Sequence, residues 1–382
     1  MKVQVNKSID DISAGEWNAL AGDNPFLRHE FLATLEHSHS ADAKSGWAPL
    51  HLACRDDAGK LIGALPLYLK SHSYGEFVFD WAWADAYQRN GLPYYPKLVS
   101  AVPYSPVPGP RLLIAAGAGP EVAPALIAAA HALAKELHCS SIHCLFPLEG
   151  ELPEWNKGGF LTRTDTQFHW HNRGYRDFEH FLESFTADRR KKVHRERRRI
   201  AEAGIEMRML AGGELDAGLM DALYRFYVST YTKRGRHAYL TRAFFTELRD
   251  TLPDALRVCF AFLQGEPVAT AICLQGGDTL YGRHWGSEQE FHSLHFEACY
   301  YQGIEYCIRA GLKHFNPGTQ GEHKISRGFE PTYTWSAHWL ADPRFQAAID
   351  EYLHREQHQV AAYLHETETH LPFRADRRPV DE

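Results

Sequence analysis

Two segments of this chain carry the same pattern, and this repeat limits the folds open to the chain. Asp57–Tyr68 and Leu263–Leu274 each begin with a glycine-containing turn and continue as an apolar strand, so that Gly265 corresponds to Gly59. A second apolar strand precedes each turn, at His51–Cys54 and Arg257–Phe262. Two apolar runs separated by a short turn with glycine are typical of a β-hairpin. The sequence therefore predicts a strand hairpin in each half.

The same order of elements continues after each hairpin. The Ala- and Leu-rich segment Glu121–His138 predicts a helix in the first half, and Phe296–Ala310, ended by Gly311, predicts one in the second. A short strand follows each helix, at Ser141–Phe146 and Lys313–Phe315. The recurrence of hairpin, helix and strand predicts a duplicated α/β domain.

Length and charge set the broad class. A chain of 382 residues favours two domains, and 44% hydrophobic with 23% charged residues is ordinary globular composition. We assign residues 1–165 to an N-terminal domain, 175–342 to a C-terminal domain with the active site, and 343–382 to a closing amphipathic helix and tail. The net charge of −7 argues against a dedicated nucleic-acid-binding protein.

The cysteines and the N-terminal segment help to predict the cellular compartment of the protein. The seven cysteines form no C-x-x-C pair, and the segment Met1–Lys7 lacks the apolar stretch of a secretory signal. No apolar run approaches the roughly 18 residues of a membrane span. We therefore expect a cytoplasmic protein without a membrane span. We expect no metal site either, because His365 and His370 are one residue too far apart for a zincin pair.

One segment concentrates chemistry-bearing side chains. Residues 316–331 hold Glu322, His323, Lys324 and Arg327 between three glycines and two prolines. Glycine and proline at both ends predict a loop. Glu322 and His323 are candidate general bases, and Lys324 and Arg327 are candidate donors to an oxyanion. The other interpretation is a solvated loop whose charges have no chemical role.

Four residues upstream extend this candidate site. Arg283 and Trp285 lie upstream of the loop, and His295 and Glu297 lie where the second predicted helix begins. They supply a cation, an aromatic ring, an imidazole and a carboxylate, which could belong to the same site.

A basic run occupies residues 189–199 of a helix predicted over Phe178–Ala203. Its cations could bind the phosphates of a nucleotide, a tRNA or a lipid head group. They could equally be the solvated face of an amphipathic helix whose inner face holds Phe185, Val193 and Ile200. Both interpretations stay open.

Several longer motifs resemble one family. Residues 79–87, 94–98, 103–111, 295–297 and 318–331 are similar to those of bacterial FemAB-like predicted N-acyltransferases, and the resemblance spans about residues 24–338. It implies tandem GNAT-like domains of the α/β class, each with a mixed, mostly antiparallel sheet flanked by helices. The duplicated order of elements agrees with this expectation.

The resemblance implies transfer of an acyl or aminoacyl group from an activated ester or thioester to a substrate amine. The donor would be an acyl-CoA, an acyl carrier protein or an aminoacyl-tRNA, and no cofactor would stay bound. The resemblance places Lys324 beside the reacting groups, as an oxyanion donor or phosphate contact. Glu297, His323 and Glu322, in that order, are our candidates for the base. Arg327 and Arg283 could bind a carboxylate or phosphate.

The first half could line the acceptor site with aromatic and charged side chains: Trp83, Asp85, Tyr87, Tyr95, Lys97, Tyr104 and Arg111. The alternative for each of them is a role in an aromatic core or a structural ion pair. A second class of function also stays open, a non-catalytic module that binds a cell-wall precursor or an acyl carrier. Use of tRNA has the basic run as its only support, and the sequence does not indicate the oligomeric state.

Overall fold

The computed structural model describes residues 1–319 and 321–375, which form two compact units. The first unit comprises Met1–Asp165, Tyr239–Phe244 and Tyr333–Ala361. The second comprises Thr166–Ala238, Phe245–Thr332 and the described residues from Ala362 onward. Segments distant in sequence therefore complete the first unit.

The elements of the first half follow in chain order: β1 (Lys2–Asn6), α1 (Ala14–Ala21), α2 (His29–His37), β2 (Trp47–Pro49), β3 (His51–Arg55), β4 (Leu61–Leu65), β5 (Tyr68–Lys70), α3 (Trp81–Arg89), β6 (Lys97–Ser100), β7 (Leu113–Ile114), α4 (Val122–Glu136), β8 (Ser141–Leu145), α5 (Leu152–Lys157) and β9 (Leu161–His171).

The second half continues: α6 (Phe178–Glu183), α7 (Ala187–Glu202), β10 (Ile205–Ala211), α8 (Ala217–Thr232), α9 (Arg242–Thr251), β11 (Leu256–Leu263), β12 (Glu266–Gly276), β13 (Thr279–Ser287), α10 (Leu294–Phe296), α11 (Gln302–Ala310), β14 (His314–Asn316), β15 (Glu330–Leu340) and α12 (Pro343–Thr369). A π-helical turn, Glu297–Tyr301, joins α10 to α11.

The first unit contains strands in two sheets. One has the order β1-β3-β4-β7 and is antiparallel. In the other, β15, β8, β6, β5 and β2 are neighbours in that order, and only the β8–β6 pair is parallel. Helix α4 presents Leu126 and Ile127 to a core shared with Leu52, Leu98 and Ile142.

The second unit has one mixed sheet with the order β10-β11-β12-β13-β14-β9, in which only the β13–β14 pair is parallel. Helix α11 buries Ile304 and Cys307 against Phe315 of β14 and the aromatic side chains of α6. The apolar face of α11 thus packs against the sheet.

The predicted repeat is confirmed. Gly59 and Gly265 lie in the two hairpin turns with φ angles of 84° and 86°, a left-handed conformation that glycine adopts without strain. In each unit, the strand that follows the helix pairs in parallel with a strand that precedes it, β8 with β6 and β14 with β13. Each unit thus contains a mixed, mostly antiparallel sheet flanked by helices, as predicted, and the first unit has a second, antiparallel sheet in addition.

The single helix predicted over Phe178–Ala203 is wrong, because the chain is extended between α6 and α7. Phe185 forms a β-bridge with Phe373, and the amide of Thr186 donates to the carbonyl of Pro372 at 2.9 Å. The side chain of Ser184 donates to the carbonyl of Phe181, which closes α6. A pairing with residues far along the chain therefore outweighs local helix propensity.

The closing helix is confirmed as α12. Its Phe345, Ile349 and Leu353 pack against Trp83 and Tyr87 within the first unit. In the part of the chain that the structure describes, we find no helix with the length and apolar character that a membrane crossing requires.

Candidate active site

The loop between β14 and β15 carries the predicted reactive residues. It is irregular at both ends, as predicted, but it also contains a 3-10 turn over Glu322–Arg327. Gly328 follows this turn with a φ angle of 86°, and a Cβ atom there would lie 2.9 Å from the ring of Phe181. A glycine is therefore required for the turn to approach α6.

Lys324 is the most buried cation of this loop, with 1% of its surface exposed. Its Nζ donates to the carbonyl of Gly318, and no other hydrogen bond from Nζ to a described residue is found. Burial, partly opposed by Cys299 and reinforced by the nearby charge of Arg283, lowers the pKa of Lys324 to about 7. A protonated Lys324 has three N–H groups, so two remain for a substrate.

Neutral rings surround this amine. His323 Nε2 lies 2.8 Å from the Tyr300 hydroxyl, and the His295 ring lies 5.8 Å from the His323 ring. Burial, followed by the charges of nearby cations, lowers the pKa of His323, and similar effects lower that of His295 to about 4. His295 is therefore neutral at pH 7 and adds no positive charge beside Lys324.

Arg327 fixes the loop to helix α7. Its Nη2 donates to both carboxylate oxygens of Glu196 at 2.8 and 2.9 Å, and its Nε donates to the Tyr301 hydroxyl at 2.9 Å. Its Nη1 donates to the carbonyl of His323. The guanidinium also lies over the Phe296 ring at 3.5 Å. Because all three guanidinium nitrogens already donate within the protein, this geometry favours a positioning role over the predicted substrate contact.

The three candidate bases lie in different surroundings. Glu297, on the π-helical turn, accepts from Gln302 and pairs with Arg197 at 3.1 Å, and both contacts use Oε1. Its Oε2 is buried without a hydrogen-bond partner among the described residues, and burial raises its pKa. Glu322 is exposed and accepts from the Tyr363 hydroxyl at 3.0 Å. His323 is the candidate with contacts to the rings beside Lys324.

The upstream residues of β13 join the same neighbourhood. Burial lowers the pKa of Arg283 to about 10, and the charge of Arg283 acts on Lys324. The Trp285 ring meets the His295 ring edge-on at 5.5 Å. Arg283, Trp285 and His295 thus lie in the same neighbourhood as Lys324 and His323.

Residues that the sequence did not single out also belong here. The charge of Lys324 acts on His169 of β9, whose pKa falls to about 3 mainly through burial. Cys299 interacts electrostatically with Lys324, and its spacing of four from His295 on a predicted helix was a signal for this. Asn316 holds the loop by accepting from the amide of Gly318 at 3.0 Å. Nothing local in the sequence connects His169 to this loop.

In the first unit, Lys97 lies at the centre of a buried polar cluster. Its Nζ donates to Ser73 Oγ and to Glu76 Oε2, both at 2.8 Å, and to a carboxylate oxygen of Asp80. The Tyr95 hydroxyl lies 2.8 Å from the same Ser73 Oγ. All three N–H groups of Lys97 are therefore used within the protein.

The other residues predicted for the acceptor site take structural or surface positions. Arg111 is buried and donates to backbone carbonyls, including those of Val107 and Leu145. The Tyr104 hydroxyl donates to the carbonyl of Ser40. Trp83 and Tyr87 belong to the core beside α12, whereas Asp85 is exposed and pairs with Arg89 at 3.0 Å. These contacts favour the structural alternative for Arg111, Tyr104, Trp83 and Tyr87.

Within residues 1–319 and 321–375, no group of three or more His, Cys, Asp or Glu side chains is placed to hold a metal ion.

Comparison with known proteins identifies the family. The family model described as peptidoglycan biosynthesis/recognition, FemAB-like, matches residues 8–375. The chain belongs to the FemAB-like family. A search of curated proteins finds no match to the sequence.

Solved structures resemble this FemAB-like protein over most of its length. FemX matches with a TM-score of 0.55 at 12% identity, covering 92% of this chain and 100% of that one. The C-terminal domain of a putative lysylphosphatidylglycerol synthetase from Agrobacterium fabrum matches with a TM-score of 0.56 at 8% identity, covering 89% and 96%. L-PGS from Bacillus licheniformis matches with a TM-score of 0.51 at 10% identity, covering 87% and 98%. At these identities the likeness shows the fold alone, and it agrees with the predicted fold class.

Proposed function

We propose that this protein is an N-acyltransferase, which moves an acyl or aminoacyl group from an activated ester or thioester to a substrate amine. One observation carries the proposal: Lys324 is a buried amine with a pKa of about 7 and two N–H groups unused by described residues. A buried cation without a carboxylate partner is costly for stability, and such groups concentrate at reactive sites. Membership of the FemAB-like family supports the same conclusion.

Lys324 and a side chain beside it can supply the two groups that the reaction needs, a donor to the oxyanion and a base. When the substrate amine attacks the acyl carbonyl, negative charge develops on the carbonyl oxygen, and protonated Lys324 can donate to it. In the tautomer whose Nε2–H donates to Tyr300, His323 keeps a free lone pair on Nδ1. That nitrogen can take the proton which the amine loses on attack. The tetrahedral intermediate then collapses and its C–O or C–S bond to the donor breaks, while His323 returns the proton to the departing oxygen or sulfur. The donor leaves as an alcohol or thiol, and no covalent enzyme intermediate is needed.

The test compares Lys324→Met and Lys324→Arg with the parent protein. The donors are an acyl-CoA, an acyl carrier protein and an aminoacyl-tRNA, each with a primary-amine acceptor. We expect Lys324→Met to reduce the rate of transfer by about 10²–10³-fold while donor binding, followed by thermal shift, is retained. The exposed Lys313→Met is the matched control and should transfer at the parent rate. Full transfer by Lys324→Met would overturn the role of Lys324. Donor binding without transfer by the parent protein would favour the binding-module alternative.

A second candidate, transfer from aminoacyl-tRNA, has one structural observation in its favour. Arg189, Arg190, Lys191, Lys192 and Arg195 of α7 form no ion pair with any described residue, whereas Arg197 pairs with Glu297 and Glu305. An unpaired basic strip on a chain with net charge −7 is suited to phosphates. FemX, L-PGS and the domain of a putative lysylphosphatidylglycerol synthetase share the fold, and the last of these is named for a product that carries a lysyl group.

The strip is tested by replacing Lys191, Lys192 and Arg195 with glutamine. We expect weaker binding of tRNA and a shallower dependence of affinity on salt, because three phosphate contacts are lost. Arg208→Gln, an exposed arginine paired with Glu206, is the control. Unchanged tRNA binding by the triple variant would remove this candidate.

A further inference from the structure

The loop between β5 and α3 has an inverted distribution of polar and apolar side chains. Ser73, Glu76 and Asp80 point inward, are buried, and bind the ammonium of Lys97. The aromatic residues between and beside them point outward. Tyr74, Phe79 and Trp81 leave 55%, 56% and 42% of their surface exposed. Three buried polar side chains and three exposed aromatic ones thus alternate along this segment, in which Val78 is also buried.

Stability does not account for this arrangement. Burying apolar surface stabilises the folded state by roughly 25 cal/mol per Å². Three half-exposed aromatic side chains therefore stabilise the fold less than buried ones would. Burying two carboxylates and an ammonium removes their hydration, which pairing only partly offsets. An exposed cluster of large apolar side chains is uncommon in a protein of ordinary composition and marks an interaction surface. The inversion therefore indicates a binding role for Tyr74, Phe79 and Trp81, which we call the aromatic surface.

The backbone beneath the aromatic surface is tightly constrained. Phe77 has a φ angle of 63°, and Gly75, with a φ of 82°, lies so close to Tyr104 that a Cβ atom would come within 2.5 Å of its ring. Burial opposes the charge of Lys97, yet the carboxylates of Glu76 and Asp80 raise its pKa, so the anchoring cation persists. The rings of Tyr74 and Trp81 meet at a centroid distance of 5.1 Å. The surface is preorganised, and ligand binding would lose little conformational entropy.

The charges at the edge of the aromatic surface occur in opposite pairs. On α3, Asp85 shares the helix face of Trp81 and pairs with Arg89. Arg163 pairs with Glu356 and donates to the carbonyl of Phe79 at 2.8 Å. Burial and the nearby charge of Lys70 lower the pKa of His72, beside Tyr74, so this imidazole is neutral at pH 7. Paired charges favour an uncharged ligand over a polyanion or an anionic lipid surface, because no net charge attracts one.

We propose that the aromatic surface binds a neutral oligosaccharide. A pyranose ring presents C–H bonds with partial positive charge on its flat face, and these meet the negative face of an aromatic ring. Tyr74 and Trp81 provide adjacent rings for two such contacts. The exposed carboxylate of Asp85 accepts hydrogen bonds from sugar hydroxyl groups at the edge. This site lies within the first unit and is separate in its residues from the proposed transfer site around Lys324.

The experiment titrates the full-length protein with chitotetraose and with maltotetraose, and follows binding by isothermal calorimetry. We expect measurable binding of at least one of them. Trp81→Ala and Tyr74→Ala should each weaken that affinity by about tenfold or more, because each removes one stacked ring. Leu148→Ala, at a side chain that is 45% exposed, is the matched control and should bind as the parent does. The replaced rings are exposed, so the variants should keep the parent melting temperature.

Three outcomes would overturn the proposal. The first is the absence of binding to either oligosaccharide by the parent protein, and the second is equal affinity in Trp81→Ala and the parent. The third is a different occupant. Binding to phosphatidylcholine vesicles that Trp81→Ala abolishes would assign the surface to lipid. Concentration-dependent self-association that the same variant abolishes would assign it to a second copy of this chain.

Discussion

Lys97 and Lys324 are both buried lysines, and their surroundings give them opposite properties. Two carboxylates contact Lys97 and raise its pKa above the ordinary value despite burial. Lys324 donates to a carbonyl and has an arginine as its charged neighbour, so burial lowers its pKa to about 7. The first lysine remains a structural cation, whereas the second can change protonation near neutral pH. The same residue type is therefore an anchoring cation in one unit and the proposed reactive group in the other.

The lowered pKa of Lys324 predicts a pH-dependent stability. The unfolded chain, with a lysine pKa of about 10.5, binds more protons than the folded chain between pH 7 and 10.5, so stability rises with pH in this window. Between pH 7 and pH 9, the free energy of unfolding of the parent should increase by about 2 kcal/mol relative to Lys324→Met. Urea unfolding of both proteins at the two pH values measures this. A difference between the parent and Lys324→Met that does not change with pH would contradict the lowered pKa.

At the scale of elements, the local signals in the sequence were sufficient for the repeat. The turns at Gly59 and Gly265, and the helix end at Gly311, are set by neighbouring residues, and the structure confirms the elements they predict. The break between α6 and α7 depends on pairing with residues near Phe373, which no local pattern shows. The loop with Lys324 was found because its composition is unusual. The contacts of Lys97 with Glu76 and Asp80 were not predicted, because charged residues that are far apart in the sequence resemble those of a solvated surface.

The contact between α7 and the loop that carries Lys324 can be tested at the same scale. Glu196→Gln keeps the shape of the side chain but leaves the buried guanidinium of Arg327 without its carboxylate. We expect a loss of stability of about 3 kcal/mol and faster hydrogen exchange at the amides of Lys324 and Gly328. Glu202→Gln, an exposed position on α7 whose partner is Arg198, should change stability by less than about 0.5 kcal/mol. Similar effects of the two variants would show that the Arg327 contact does not hold the loop.

At the scale of the whole molecule, the first unit depends on residues far along the chain. Strand β15 pairs with β8 through residues such as Ala337, and Phe345 of α12 lies on the Tyr87 ring at a centroid distance of 3.9 Å. The sequence placed a domain at 1–165, because no local feature of β15 or α12 shows which core they join. The division into units therefore required the structure.

A fragment of residues 1–165 tests this dependence. We expect it to lack a cooperative unfolding transition, because it loses a strand beside β8 and the apolar side chains of α12. Circular dichroism during urea unfolding measures the transition, and the full-length chain is the control. A cooperative transition of the fragment would show that residues 239–244 and 333–361 are not needed for its core.

The position of β15 and α12 also sets the order of events during synthesis. Translation proceeds from the N-terminus, so β8 leaves the ribosome long before residues 333–361 exist. Until then, one edge of β8 lacks its neighbour, and an unpaired strand edge can pair with the wrong chain. The second unit, apart from its last segment, is translated during this interval. The first unit, whose synthesis begins first, is therefore complete only when nearly the whole chain has been translated.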